Sequence, residues 1–169
     1  MKLYQELCHY QGDSMPLSKK SQMVQQALEK HNLALEVVEL DASTRTALDA
    51  ANAVGCEIGQ ICKSLVFRSG DEPVLFLVSG KNQLNVPKVS AELGMRLEKS
   101  DATFTKQKTG FAIGGVPPLT HTTQLATYID RTLLSYKQIW AAAGTPHSVF
   151  KLNSSLLLSL TGGTIIDVT

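Results

Sequence analysis

Lys63 stands in the apolar run Ile61-Cys62-Lys63-Ser64-Leu65-Val66-Phe67, where two-residue alternation puts its side chain on one face with Leu65 and Phe67. An ammonium is a compact charge with three donors, so one held in a cleft could bind a phosphate or a developing oxyanion. An edge-strand lysine whose stem lies along the sheet while its head reaches water gives the same pattern, and the run by itself leaves both readings open. A second feature is Gly114-Gly115-Val116-Pro117-Pro118, which joins two residues that permit unusual φ to two that fix it. Neither proline has an N–H, so the groups free to cradle a carbonyl oxygen or a phosphate are those of Gly114, Gly115 and Val116. A tight structural turn has the same composition. Gly144-Thr145-Pro146-His147 repeats the theme more weakly, and His121 follows the proline pair. Single histidines at element boundaries are more often satisfied surface residues than bases, so His121 and His147 stand only as helpers.

Other chemistry is excluded by what is missing. The chain has no GxGxxG, GxxxxGK[ST], HExxH or GxSxG motif and no close His/Cys/Asp cluster, so neither a metal nor a cofactor is expected. Cys8, Cys56 and Cys62 are an odd number without CxxC spacing, which argues against a disulfide framework or a four-ligand zinc site and fits a reduced cytoplasm. Sixteen Lys and Arg against fifteen Asp and Glu leave a net charge of +1, too small a field to draw the whole protein onto a duplex or an anionic membrane. Any contact with nucleic acid is then local. The N-terminal segment, with Glu6, His9 and Asp13, has no signal-peptide core and no membrane span, so export and anchoring are not expected.

These residues must be positioned by a mixed set of elements. Length and composition, 169 residues with 43% hydrophobic and 18% charged, fit one globular domain, read here as residues 16–169 behind an N-terminal extension, 1–15, without periodic apolar positions. From Ser18, apolar Met23, Val24, Ala27 and Leu28 recur at helical spacing until Asn32. Leu35 to Leu40 reads as a strand, and Ser43-Thr44 opens a second helix that ends at Gly55. Ile61 to Phe67 and Pro73 to Val78, joined by Ser69-Gly70-Asp71-Glu72, read as a hairpin. Asn85-Val86-Pro87 starts a helix that runs to about Gly94, and Ser100-Asp101 caps another carrying Phe104. Phe111 to Ile113 and Leu125 to Ile129 read as strands around the Gly/Pro loop. A short helix or turn follows near Tyr136 to Ala143, then a strand Ser148 to Leu152, a helix from Asn153-Ser154 to Leu160 and a strand Ile165 to Val168. The order lacks the strict alternation of a doubly wound parallel sheet.

In the order Ser18, Val24-Gln25, Leu28, Val38-Glu39, Ser43 to Thr46 and Gly59-Gln60-Ile61-Cys62-Lys63-Ser64-Leu65-Val66-Phe67, the chain resembles the YbaK-like family of aminoacyl-tRNA deacylases, the prolyl-tRNA synthetase-associated editing domain. Thr109 to Pro118 resembles that family's GxxxP loop, with Gly114 and Pro118 at its ends. Ala143-Gly144-Thr145 and Leu156 to Gly162 resemble its C-terminal part. The resemblance implies an α+β fold with a curved, barrel-like, mostly antiparallel sheet flanked by helices. It implies trans-editing, the hydrolysis of the ester joining a wrong small amino acid such as cysteine or alanine to a tRNA, tRNA-Pro in the first place. Partners would be the tRNA acceptor end and, transiently, a synthetase. It further implies Lys63 as the residue most tied to activity and the GxxxP loop as the holder of the aminoacyl group. With Lys63, Gly114 and Gly115 as catalytic residues, Val116, Pro117, Pro118, His121, Gly144 and His147 make the substrate-binding set. Two positions depart from the pattern: Thr120 stands where many relatives have glycine, and His147 where others carry a different polar residue. A non-catalytic binding module with the same pocket, and an esterase acting on non-RNA esters, remain as alternatives at this level.

Overall fold

The computed structural model describes residues 16–41 and 46–169. The extension 1–15 and the Ser43-Thr44 cap lie outside these residues. Helix α1, Lys19–Lys30, begins where Ser18 Oγ accepts from the Ser21 N–H, and buries Val24 and Leu28 completely. After strand β1, Val37–Glu39, helix α2 spans Ala47–Val54. Thr46 and Asp49 close a reciprocal capping box at its start, and Gly55 ends it in a left-handed conformation. A short 3-10 turn, Ile58–Gln60, leads into the hairpin of β2, Ile61–Ser69, and β3, Glu72–Ser79. Helix α3, Val86–Leu93, has Asn85 as its cap and Pro87 in its first turn, as its sequence requires. Then come β4, Glu98–Lys99, α4, Ala102–Thr109, β5, Ala126–Asp130, and a 3-10 turn, Arg131–Ser135. The chain ends with β6, Gln138–Ala142, β7, Ser148–Asn153, α5, Leu156–Thr161, and β8, Thr164–Ile166.

The strands form one sheet in the order β1-β7-β6-β2-β3-β5-β8, with β4 on β2. Pairs β1–β7, β6–β7, β2–β3 and β2–β4 are antiparallel, whereas β2–β6, β3–β5 and β5–β8 are parallel. The mixed architecture expected from sequence therefore holds, with the sheet open at β1 and β8 rather than closed into a barrel. Both faces are covered. Leu75 and Leu77 of β3 pack with Val24 and Leu28 of α1 and Leu157 of α5 on one side. Val74, Phe76 and Val78 pack with Val89 of α3 on the other.

Two expectations fail. The segment Tyr136 to Ala143 holds strand β6 rather than a helix or turn, because Ile139 and Ala141 are buried between β7 and β2, and the strand pairing overrides the helix preference of its alanines. Phe111 to Ile113 is not a strand. Phe111 is buried with its N–H on Thr109 Oγ1, and the Gly115 N–H bonds the Ala112 carbonyl to close a turn that leaves Ile113 57% exposed. The loop that follows contains Thr120 at a φ of +63°, a left-handed conformation that glycine takes easily and a β-branched residue does not.

Candidate active site

Along its outer edge β2 is paired at both ends and open in the middle. β6 reaches only Ile61 and Cys62, and β4 only Phe67 and Arg68, so neither strand covers Lys63 to Val66. A cleft of about 400 Å³ opens there, lined among others by Leu65, Gln83, Leu84, Lys99, Ile113 and Val116. A second cavity of about 230 Å³ continues past the strand toward Thr46, Ala50, Trp140, Ser148 and Gly114. Lys63, Ser64, Leu65 and Ile113 line both and form the ridge between them.

Lys63 Nζ donates to the Asn82 carbonyl at 2.5 Å. Asn82 in turn donates from Nδ2 to Asp130 Oδ2 and to Thr132 Oγ1, both at 2.9 Å. The buried Asp130 also accepts from the N–H groups of Ser79 and Thr132. Partial burial pushes the Lys63 amine below the usual lysine range, while the nearby Asp130 carboxylate pulls it back up. The lysine is thus steered by a backbone carbonyl that is itself fixed by a carboxylate network, rather than left to swing in solvent.

The glycines of the loop divide in role. Gly114 is exposed at a φ of +88°, and a Cβ there would meet nothing nearer than Pro146 at 3.6 Å. Gly115 is buried, and a Cβ there would fall 2.7 Å from Thr145 Cα. Its N–H is spent on Ala112 and its carbonyl accepts from the Gly144 N–H at 2.9 Å. Of the three donors the sequence offered, Gly115 is therefore removed, whereas Gly114 and Val116 donate to no backbone acceptor among the described residues. Gly144, at a φ of +103°, presses against the Lys20 carbonyl of α1, so its part is to seat the loop.

The remaining expected residues lie off the cavities. Pro117 and Pro118 are buried behind Val116. The Nε2–H of His121 donates to the Pro117 carbonyl at 2.6 Å, and burial lowers the histidine pKa despite that bond. His147 is exposed, with its backbone bonded to Thr145 Oγ1 and to Leu40. Cys62, beside Lys63, is buried and its thiol is pushed up to about 12, which keeps it protonated and a poor nucleophile. Among the described residues, no three His, Cys, Asp or Glu side chains gather as a metal site would need. Sequence reasoning missed Ser64, Asn82, Ile113 and Trp140, and only Ser64, polar on an otherwise apolar strand face, carried a signal.

Comparison with known proteins gives the family. Residues 41–160 match the model of the aminoacyl-tRNA editing domain. A crystal structure described as "a putative trans-editing enzyme for prolyl tRNA synthetase" superposes with a TM-score of 0.86, at 48% identity over 91% of this chain and 99% of that one. The "Putative Cys-tRNA(Pro)/Cys-tRNA(Cys) deacylase EbsC" of Enterococcus faecalis is 28% identical over 126 residues, 73% of this chain and 77% of its own. The "Uncharacterized protein YwhH" of Bacillus subtilis is 28% identical over 118 residues, 69% of this chain and 75% of its own. The chain belongs to the aminoacyl-tRNA editing domain family. It is, by that membership, an aminoacyl-tRNA deacylase, a hydrolase of the ester between an amino acid and tRNA. No helix among the described residues is long and apolar enough to cross a membrane.

Proposed function

We propose that the protein is a trans-editing deacylase that clears a small wrong amino acid, cysteine or alanine, from tRNA-Pro, in the cytoplasm and in transient association with the synthetase that charges it. The observation that supports this most is the meeting of Lys63 with the Gly114 segment on one cavity, two features 51 positions apart in sequence. An aminoacyl ester is already activated, so hydrolysis needs a placed carbonyl, an attacking water and donors for the oxyanion. In this reading the Lys63 ammonium holds the phosphate or ribose of the terminal nucleotide. The Gly114 N–H meets the carbonyl oxygen, Val116 walls the larger cleft, and a ribose hydroxyl of the substrate orients the water. Water oxygen bonds to the carbonyl carbon, the bond to the ribose oxygen breaks, and that oxygen leaves as a hydroxyl. Pro117, Pro118, His121, Gly144 and His147 act only by stiffening the loop, since none of them lines either cavity.

The domain in this proposal is residues 16–169, with 1–15 as an extension, so a chain that begins at Met15 keeps both fold and activity. The decisive experiment incubates the purified protein with one tRNA charged in turn with alanine, cysteine, proline and phenylalanine and scores free amino acid. Alanine and cysteine are released fastest. Equal rates for alanine and phenylalanine overturn the steric part, and binding of every substrate without release makes the protein a non-catalytic module.

A further inference from the structure

Alternation along β2 puts Lys63 on one face with Leu65 and Phe67, and Ser64 on the other with Cys62 and Val66. Cys62 and Val66 pack into the core with Leu75 and Leu77, and Ser64 sits across the hairpin from Leu77. A hydroxyl in such a place ordinarily bonds a nearby carbonyl. Its neighbours are all partnered: Ser79 Oγ donates to the Gly59 carbonyl, Ser100 Oγ to the Val66 carbonyl, and Ser148 Oγ is bonded to the hydroxyls of Ser21 and Thr145. Ser64 Oγ is the one buried side-chain oxygen or nitrogen among the described residues that has no hydrogen-bond partner.

The direction of the strand adds to this. The Val66 carbonyl turns away from β3 to meet Ser100, and groups two residues apart on a strand point the same way, so the Ser64 main chain also faces the open edge. Ser64 lines both cavities, next to Lys63 and, in the smaller one, with Gly114. Among the described residues no side chain beside it is placed to take its proton: Lys63, on the other face of the strand, donates from Nζ to the Asn82 carbonyl. His121 is held by Pro117, His147 lines neither cavity, and Asp130 is engaged by Ser79, Asn82 and Thr132. The hydroxyl is therefore equipped to donate a hydrogen bond and not to attack as an alkoxide.

We propose that Ser64 Oγ–H is the second donor to the ester carbonyl oxygen, acting with the Gly114 N–H as that oxygen gains charge; this rests on the deacylase reading of the cleft. As water bonds to the carbonyl carbon, the carbonyl electron pair moves onto the oxygen that the two donors face. Its return expels the ribose oxygen, which takes the proton given up by water, and Ser64 keeps its own proton throughout. A donor of this kind acts more strongly on the transition state than on the bound ester, so its loss falls on kcat rather than KM.

The test measures kcat, KM and Tm for the wild type, Ser64→Ala and Ser64→Thr on the fastest substrate of the mischarged panel. Ser64→Ala is expected to lose at least about tenfold in kcat with KM within about twofold, as for other oxyanion donors. Its Tm should be unchanged or higher, since the change removes a buried polar atom that bonds to nothing. Ser64→Thr, which keeps the hydroxyl on a strand-compatible side chain, should retain most of the rate. Full activity in Ser64→Ala, a loss that appears in KM alone, or a rate that falls together with Tm each overturns the assignment. A wild type that releases no amino acid overturns the deacylase reading and this inference with it. A wild type that prefers large amino acids overturns only the small-substrate proposal and leaves Ser64 to be judged by its own variants.

Discussion

The two strands of the central hairpin are built from similar residues and end up in different trades. From Pro73 to Ser79 every residue of β3 is buried, whereas Lys63 to Val66 of β2 are only partly covered. The difference lies on the side away from their shared ladder. β3 has β5 alongside it from Val74 to Leu77, while β2 has β6 at its start, β4 near its end and no strand between. The candidate site is thus the place where a neighbour is withheld from four residues of an interior strand, which leaves Lys63 and Ser64 beside open space without any special side-chain cluster.

Substitutions on the two strands should separate these trades. Phe76 is completely buried against Phe67 and Tyr128, so Phe76→Ala should cost about 3–5 kcal/mol in denaturant unfolding. Leu65, its partner across the hairpin, is only partly buried, and Leu65→Ala should cost about 1–2 kcal/mol by the same measurement. Equal losses would mean that the gap in β2 is closed in solution. Gly115→Ala should lose about 1–3 kcal/mol of stability as well as activity, because its Cβ would run into Thr145 backbone rather than into substrate. Lys63→Ala should show the reverse: at least about tenfold less deacylation, roughly 1.4 kcal/mol, with stability changed by under about 1 kcal/mol. The smallest effect concerns His121. Its folded pKa lies below the 6.5 of a free histidine, so the unfolded chain takes up the proton first as pH falls. That stability contribution is complete above about pH 6.5 and is lost as pH drops below it toward the folded value. His121→Gln should therefore flatten the dependence of Tm on pH between about 5 and 7, and an unchanged slope would assign it to other groups.

Much of this could be read from local chemistry. Asn85, Pro87 and Gly94 mark α3 by their own conformational limits, Asp101 does the same for α4, and the hairpin announces itself by two apolar runs around Gly70. Lys63 was visible because a charge in such a run is costly unless it has a use or an exit. What stayed hidden depends on distant pairing. The alanines of β6 favour a helix until β7 and β2 claim their edges, and the seat of Gly115 on Gly144 joins residues 29 positions apart. Ser64 carries in sequence only the weak signal of a polar residue among apolar ones, and the absence of a partner in the folded chain is what sets it apart.

The gap in β2 also bears on how the protein behaves at high concentration. An unpaired strand edge is a template on which other chains can add, and most proteins blunt such edges at the rim of a sheet. Here the bare stretch is four residues long and bounded at both ends by strands of its own chain, with Ser100 already on the Val66 carbonyl and Lys63 placing a charge at the opening. A foreign strand would have to displace β4 or β6 to gain more than a rung or two. The molecule can leave backbone open at the candidate site without inviting its own polymerisation.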